Sequence, residues 1–193
     1  MYDRWGKRPL DLTGALLLLA LLAPLMLGTA LAVRLALGRP VLFRQIRAGR
    51  DGVPFAVLKF RSMQDGSGDD AARLGGFGRR LRAVALDELP QLLNVLRGEM
   101  SLVGPRPLPV TYAARYSPRQ ALRLRVRPGI AGLAQAAGRN AVPWEARLEL
   151  DARYVGRVTL AGDLSLALRC VVLALRGSGA NAPGHATMPE FNG

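Results

Sequence analysis

Apolar positions along the chain follow three patterns: one long run, two alternating segments, and several repeats at helical spacing. The run extends from Leu10 to Val33 with a charge only at Asp11. It meets the length of about 20 residues that a bilayer-crossing helix needs. It continues into Arg34 and Arg39 without a cleavage site, which argues against a signal peptide. Arg4, Lys7 and Arg8 precede it, and Arg34, Arg39, Arg44 and Arg47 follow it. The positive-inside tendency therefore draws both ends toward the cytoplasm. Pro24 divides the run, and both a kinked spanning helix and a re-entrant hairpin satisfy this arrangement.

The alternating segments come next. Pro40 to Arg47 and Val53 to Met63 read as strands, and Ala48 to Gly52 supplies the turn between them. Alternation puts Phe55, Val57, Lys59 and Arg61 on one face of the second strand, with Ala56, Leu58 and Phe60 on the other. A solvated face is the ordinary fate of such a lysine and arginine. Gln64 to Gly78 is polar and glycine-rich, a mobile loop. Its aspartates lack the spacing and terminal glutamate of a calcium loop.

Helical spacing begins at Leu86 to Pro107, LDELPQLLNVLRGEMSLVGPRP. Leu89, Leu92, Leu93 and Leu96 mark one buried face, and Pro90 fits only in the first turn. Asp87 and Glu88 then stand at the helix start, where free N–H groups favour anions. An aspartate there is ordinarily an N-cap. The company suggests more: Arg106 follows a glycine and is braced by Pro105 and Pro107. Two carboxylates and a stiffly framed arginine suit a phosphate and a divalent metal. Farther on, Val110 to Leu124 reads as an arginine-rich helix interrupted near Ser117-Pro118. Trp144 to Val155 reads as a helix with an acidic patch of Glu145, Glu149 and Asp151, and Asp163 to Arg176 as a capped helix with a broad apolar face. The last is too short to span and suits a membrane surface or a core. Residues 177–193 read as an irregular tail.

Composition sharpens this picture. The 193 residues hold 27 basic against 14 acidic side chains, a formal net charge of +13. Such an excess points to a polyanionic partner. All basic residues but Lys7 and Lys59 are arginines, whose planar forks suit phosphate oxygens. One cysteine, Cys170, and one histidine, His185, leave no intrachain disulfide and argue against histidine triads or Cys/His zinc sites. A membrane-tethered nucleic-acid-binding protein would fit the charge. The chain, however, has no aromatic-interleaved basic patch or recognition helix, and that reading leaves Asp-Glu-Leu-Pro unexplained. A catalytically idle scaffold is opposed by the intact acidic pair.

The ordered motifs KRPLDL, PVLFRQIRAG, VLKFRSM, LDELPQLLNVLRGEMSLVGPRP, RPGIAGLAQ, GRNA, LELDARYV and GHATMPEFNG resemble the small monotopic phosphoglycosyl transferases, the PglC-like bacterial sugar transferases, nearly end to end. The resemblance implies an α+β fold. A membrane-embedded re-entrant helix-break-helix over residues 1–38, broken at Pro24, would carry a catalytic domain over 39–193. That domain would be small, mainly helical and cytoplasmic, with a short β-hairpin and interfacial helices. It implies transfer of a sugar 1-phosphate from a UDP-sugar to polyprenyl (undecaprenyl) phosphate, releasing UMP, at the cytoplasmic face of the bacterial inner membrane. The partners implied are UDP-sugar, polyprenyl phosphate and membrane lipids, with no nucleic acid. Asp87 would be the nucleophile and form an aspartyl phosphosugar, and Glu88 would assist. Both would bind Mg²⁺, and Lys59, Arg82, Arg106, Arg127 and Arg139 would bind phosphate or nucleotide. The chain departs from the family where Ala23 replaces a serine often found before the proline.

Overall fold

A computed structural model describes residues 2–66, 69–177, 179 and 188–193. The long apolar run forms one helix, α1 (Lys7–Leu37), and Pro24 lies inside it. The expected break is thus not an interruption of the helix. Proline already has a helical φ and deletes a single hydrogen bond, so a helix with strong formers on both sides runs on through it. Asp11, Ala15, Thr29 and Val33 are buried, whereas Leu17, Leu21, Leu27, Leu31 and Leu35 are exposed. Among the described residues this is the one helix long and apolar enough to cross a membrane.

The expected hairpin follows: β1 (Leu42–Ala48) and β2 (Pro54–Phe60) pair antiparallel with Arg44 opposite Leu58. After α2 (Asp70–Arg73) and α3 (Gly76–Ala83), a single 3₁₀ turn, Leu86–Glu88, leads into α4 (Gln91–Arg97). The buried face of α4 differs from the leucine stripe. Gln91, Leu92, Asn94 and Val95 are buried, while Leu93 and Leu96 are only half-buried. The cause is Asn94, which works as a substitute strand. Its Oδ1 accepts from Leu58 N at 3.0 Å and its Nδ2 donates to Ala56 O at 2.8 Å, stitching α4 to the outer edge of β2. That bond turns the helix away from the leucine register.

A second pair, β3 (Ser101–Val103) with β4 (Gly129–Ala131), is parallel. A Cβ on Gly129 would lie 2.0 Å from Gly104 N, so only glycine lets these backbones approach. The arginine-rich stretch is not one helix. It forms 3₁₀ turns Val110–Arg115 and Leu122–Arg125 around a short α5 (Pro118–Ala121) capped by Ser117 and Gln120. After α6 (Leu133–Ala136) come α7 (Trp144–Gly156) and α8 (Leu160–Leu175). The architecture is α+β and mainly helical, as expected.

Two aspartates differ from expectation. Asp151 does not join Glu145 and Glu149 in an acidic patch: it is buried in an ion pair with Arg123 at 3.0 Å. Asp163 does not cap α8, which starts three residues earlier with Thr159 as its cap. Asp163 is buried instead and accepts hydrogen bonds from Tyr154 Oη at 2.9 Å, Tyr2 Oη at 2.8 Å and Lys7. Helix α8 turns Leu164, Leu168, Val171 and Leu175 outward. Of the expected irregular tail, 178 and 180–187, His185 included, lie outside the described residues. Phe191 packs beside Tyr112 and Leu148.

Candidate active site

Two cations from separate segments converge on Glu88. Lys59 reaches it from β2, with Nζ 2.9 Å from Oε1. Arg106, on the loop after β3, donates Nη2 to Oε1 at 2.5 Å and Nη1 to Oε2 at 3.2 Å. The Arg106 backbone is itself held, because Arg123 Nη2 donates to its carbonyl at 2.5 Å while pairing with Asp151 on α7. Burial works to raise the Glu88 pKa, yet Arg106 and Lys59 together hold it far below the ordinary carboxylate range. Glu88 is a fixed anion with both oxygens occupied.

Asp87 is its opposite. It is buried, and among the described residues nothing donates a hydrogen bond to its carboxylate. Burial first and the Glu88 charge second raise its pKa to about 6, against the pull of Lys59, Arg82 and Arg106. Neighbouring carboxylates with pKa values pushed apart mark functional sites. The turn that carries them is strained: Ala85 has φ 56° and ψ 21°, a left-handed conformation uncommon for a residue with a Cβ. Arg139, also left-handed at φ 54°, fastens that turn. Its Nη1 and Nη2 donate to Ala83 O at 2.7 Å and Arg82 O at 2.8 Å, the last carbonyls of α3. Arg82 donates Nε to Ser62 Oγ at 2.9 Å, and its charge acts on Asp87.

Of the seven residues singled out from the sequence for catalysis and phosphate binding, six gather here and one does not. Arg127 donates Nε to Gly98 O at 2.9 Å beside Arg8, which donates to Val95 O at 2.8 Å. Both arginines close the carboxyl end of α4, where free carbonyls and the negative dipole end attract cations. Lys59 and Arg61 also part company. Lys59 turns to Glu88, while Arg61 is buried and bonds Asp65 and the Leu37 carbonyl.

A cavity of about 430 Å³ opens at this cluster. Its walls are mainly apolar, with Leu18 and Leu22 from α1 and Val171 and Leu175 from α8, and its polar end holds Glu88 and Arg106. Arg147 also lines it, a residue the sequence offered only as part of a helix. Its contact with Trp144 is an i, i+3 pair within α7, but its burial depends on packing that no local spacing carries. Among the described residues no three Asp, Glu, His or Cys side chains converge as a metal cage. Asp87 is the uncommitted carboxylate. Mg²⁺ is commonly held by one or two carboxylates plus substrate phosphates, which this site can supply. Glu88, occupied by two cations, fits a metal less well.

The family model for bacterial sugar transferases matches residues 2–177. An uncharacterized sugar transferase of Bacillus subtilis, EpsL, is 45% identical over 193 residues, covering 97% of this chain and 96% of its own length. The UDP-glucose:undecaprenyl-phosphate glucose-1-phosphate transferase of Caulobacter vibrioides is 46% identical over 183 residues, covering 86% of this chain and 68% of its own. The Escherichia coli protein of the same name is 40% identical over 182 residues, covering 85% of this chain and 39% of its own.

Proposed function

The chain belongs to the bacterial sugar transferase family, and from that premise we propose that it transfers a sugar 1-phosphate from a UDP-sugar to undecaprenyl phosphate through a covalent intermediate on Asp87. The observation that carries this reading is the contrast within the acidic pair. Glu88 is locked by Lys59 and Arg106, while the buried Asp87 beside it has no donor among the described residues. An uncommitted carboxylate amid cations can act as a phosphoryl acceptor.

In the first half-reaction an Asp87 Oδ attacks the phosphorus nearer the sugar. The bond from that phosphorus to the bridging oxygen breaks, and UMP departs with the electron pair. In the second, an oxygen of the lipid phosphate attacks the same phosphorus. The acyl phosphate bond breaks, freeing Asp87 and leaving a sugar on a lipid diphosphate. Lys59, Arg82 and Arg106 offset charge on the transferring group, and Glu88 fixes the cations Lys59 and Arg106 in place. Arg139 holds the turn on which Asp87 rides. When bound, Mg²⁺ would supply further charge neutralisation at the phosphates, with Asp87 as its protein ligand.

The cavity favours a lipid acceptor, since its apolar walls come from α1 and α8, both of which present leucines outward. Both ends of α1 are tied to one body. Lys7 meets Asp163, Asp11 accepts from Ser101 Oγ and Leu102 N at 2.9 Å, and Arg61 bonds the Leu37 carbonyl. These ties at both ends support the re-entrant reading, in which α1 enters and leaves on one face and the catalytic domain lies on the cytoplasmic side of the inner membrane.

The test is UMP release from a panel of UDP-sugars with undecaprenyl phosphate and Mg²⁺, joined to intact-protein mass spectrometry after quench without lipid. We expect UMP formation and a phosphosugar adduct on Asp87, both lost in Asp87→Asn. An adduct on another residue would overturn the nucleophile, and no UMP from any donor would overturn the reaction.

A further inference from the structure

A second, much smaller cavity lies on the other side of Arg106 and leaves one charged residue unexplained. It measures about 20 Å³ and is lined by Arg47, Val57, Lys59, Gln91, Arg106 and Pro107. That is room for one oxygen the size of a water molecule. Strand pairing brings the cations there. Phe43 lies opposite Lys59 and Arg47 opposite Phe55, and directly paired residues share a face. Phe43 and Arg47 are four residues apart on one strand, so Arg47 and Lys59 project from the same side of the hairpin.

We propose that Arg47 completes an anion subsite with Lys59 and Arg106, a socket for one phosphoryl oxygen of the phosphate esters handled by this enzyme. The proposal rests on the reading of the chain as a UDP-sugar:lipid-phosphate transferase. Lys59 and Arg106 share Glu88, whereas the Glu88 charge acts on Arg47 without a hydrogen bond, and Arg47 donates only to a neutral acceptor, Gln45 Oε1, at 3.2 Å from Nε and 2.5 Å from Nη2. Its Nη1 has no hydrogen-bond partner among the described residues. Burial, and after it repulsion from Arg106, lowers its pKa to about 10, so the cation stands in a place that disfavours it until an anion arrives. Arg106 lines both cavities and joins the socket to the apolar chamber. If both displacements at phosphorus are in line with Asp87, the departing UMP phosphate and the arriving lipid phosphate occupy the same place in turn. One socket then serves both.

The experiment measures equilibrium binding of UMP and of farnesyl phosphate to detergent-purified protein. The proteins compared are wild type, Arg47→Ala, Arg47→Lys and, as a control on the exposed part of the same strand, Arg44→Ala. Arg47→Ala should raise Kd about ten- to a hundredfold, the worth of a charge-assisted hydrogen bond. Arg47→Lys should recover part of that loss, because the charge remains and the fork is gone. Arg44→Ala should bind as wild type. Weakening of both ligands supports a shared socket, and weakening of UMP or farnesyl phosphate alone supports a socket for that ester. Should Arg47→Ala fail to fold, Arg47→Gln retains a polar group for Gln45 and takes its place. Unchanged Kd for both ligands in a folded variant overturns the socket, even where wild type releases UMP. A wild type that releases no UMP overturns the functional reading instead.

Discussion

At the scale of single residues, Asp87 and Glu88 show how one dipeptide holds two chemistries. Glu88 faces two cations and stays ionised; Asp87 faces burial and the Glu88 charge, which raise its pKa to about 6. The consequence for rate, on the proposed mechanism, is that adduct formation should rise with pH through about 6, as Asp87 loses its proton. The consequence for stability has the opposite sign. A carboxyl whose folded pKa exceeds its unfolded value binds protons more tightly when folded, so stability falls as pH rises between the two values and stays lowered above them. Asp87→Asn removes that penalty. It should abolish turnover yet stabilise the protein by about 1–3 kcal/mol at pH 8, with little gain near pH 4. Thermal unfolding of both proteins at the two pH values checks this, and equal gains at both would rule out a titration origin.

At the scale of elements, the site depends on how α4 meets the hairpin. Asn94 is fully buried and joins helix to strand through Leu58 N and Ala56 O, and its Nδ2 also donates to Glu99 at 2.7 Å. Lys59 follows Leu58 on β2, and Glu88 precedes α4 in the chain, so this seam sets the distance between the two charged groups. Asn94→Ala leaves a backbone donor and acceptor buried without partners. It should destabilise the domain by roughly 2–4 kcal/mol. Chemical unfolding in detergent measures the loss, and a change below about 1 kcal/mol would show that the apolar contacts of Leu92 and Val95 suffice alone.

At the scale of the whole molecule, α1 is both anchor and wall. Lys7 at one end and the Leu37 carbonyl at the other bond residues of the remaining fold, and Leu18 and Leu22 line the larger cavity. A helix crossing the bilayer would carry Lys7 away from Asp163, leaving that buried carboxylate without its cation at considerable cost. Single cysteines at Tyr2 and Val41, in a Cys170→Ala background, should therefore both resist a membrane-impermeant thiol reagent in intact cells. Labelling at Tyr2 alone would establish a spanning helix.

Much of this was legible in the sequence, because it rests on short-range patterns. Uninterrupted apolarity marked α1, period-two alternation with a glycine turn marked the hairpin, and Pro90 after Asp87-Glu88 fixed the start of α4. Motif resemblance gathered Lys59, Asp87, Glu88 and Arg106 into one site. Other outcomes needed the third dimension. Arg127 and Arg139 sit in similar glycine-rich turns, yet one closes α4 and the other fastens the turn before Asp87. Asp151 and Asp163 looked like part of an acidic patch and a cap but are buried partners of Arg123 and Lys7. Local spacing reports which face a residue takes on its own element. A charged side chain's role depends on what distant segment is packed against that face, and the pKa contrast at the acidic pair exists only after such packing removes water and brings Lys59 and Arg106 to Glu88.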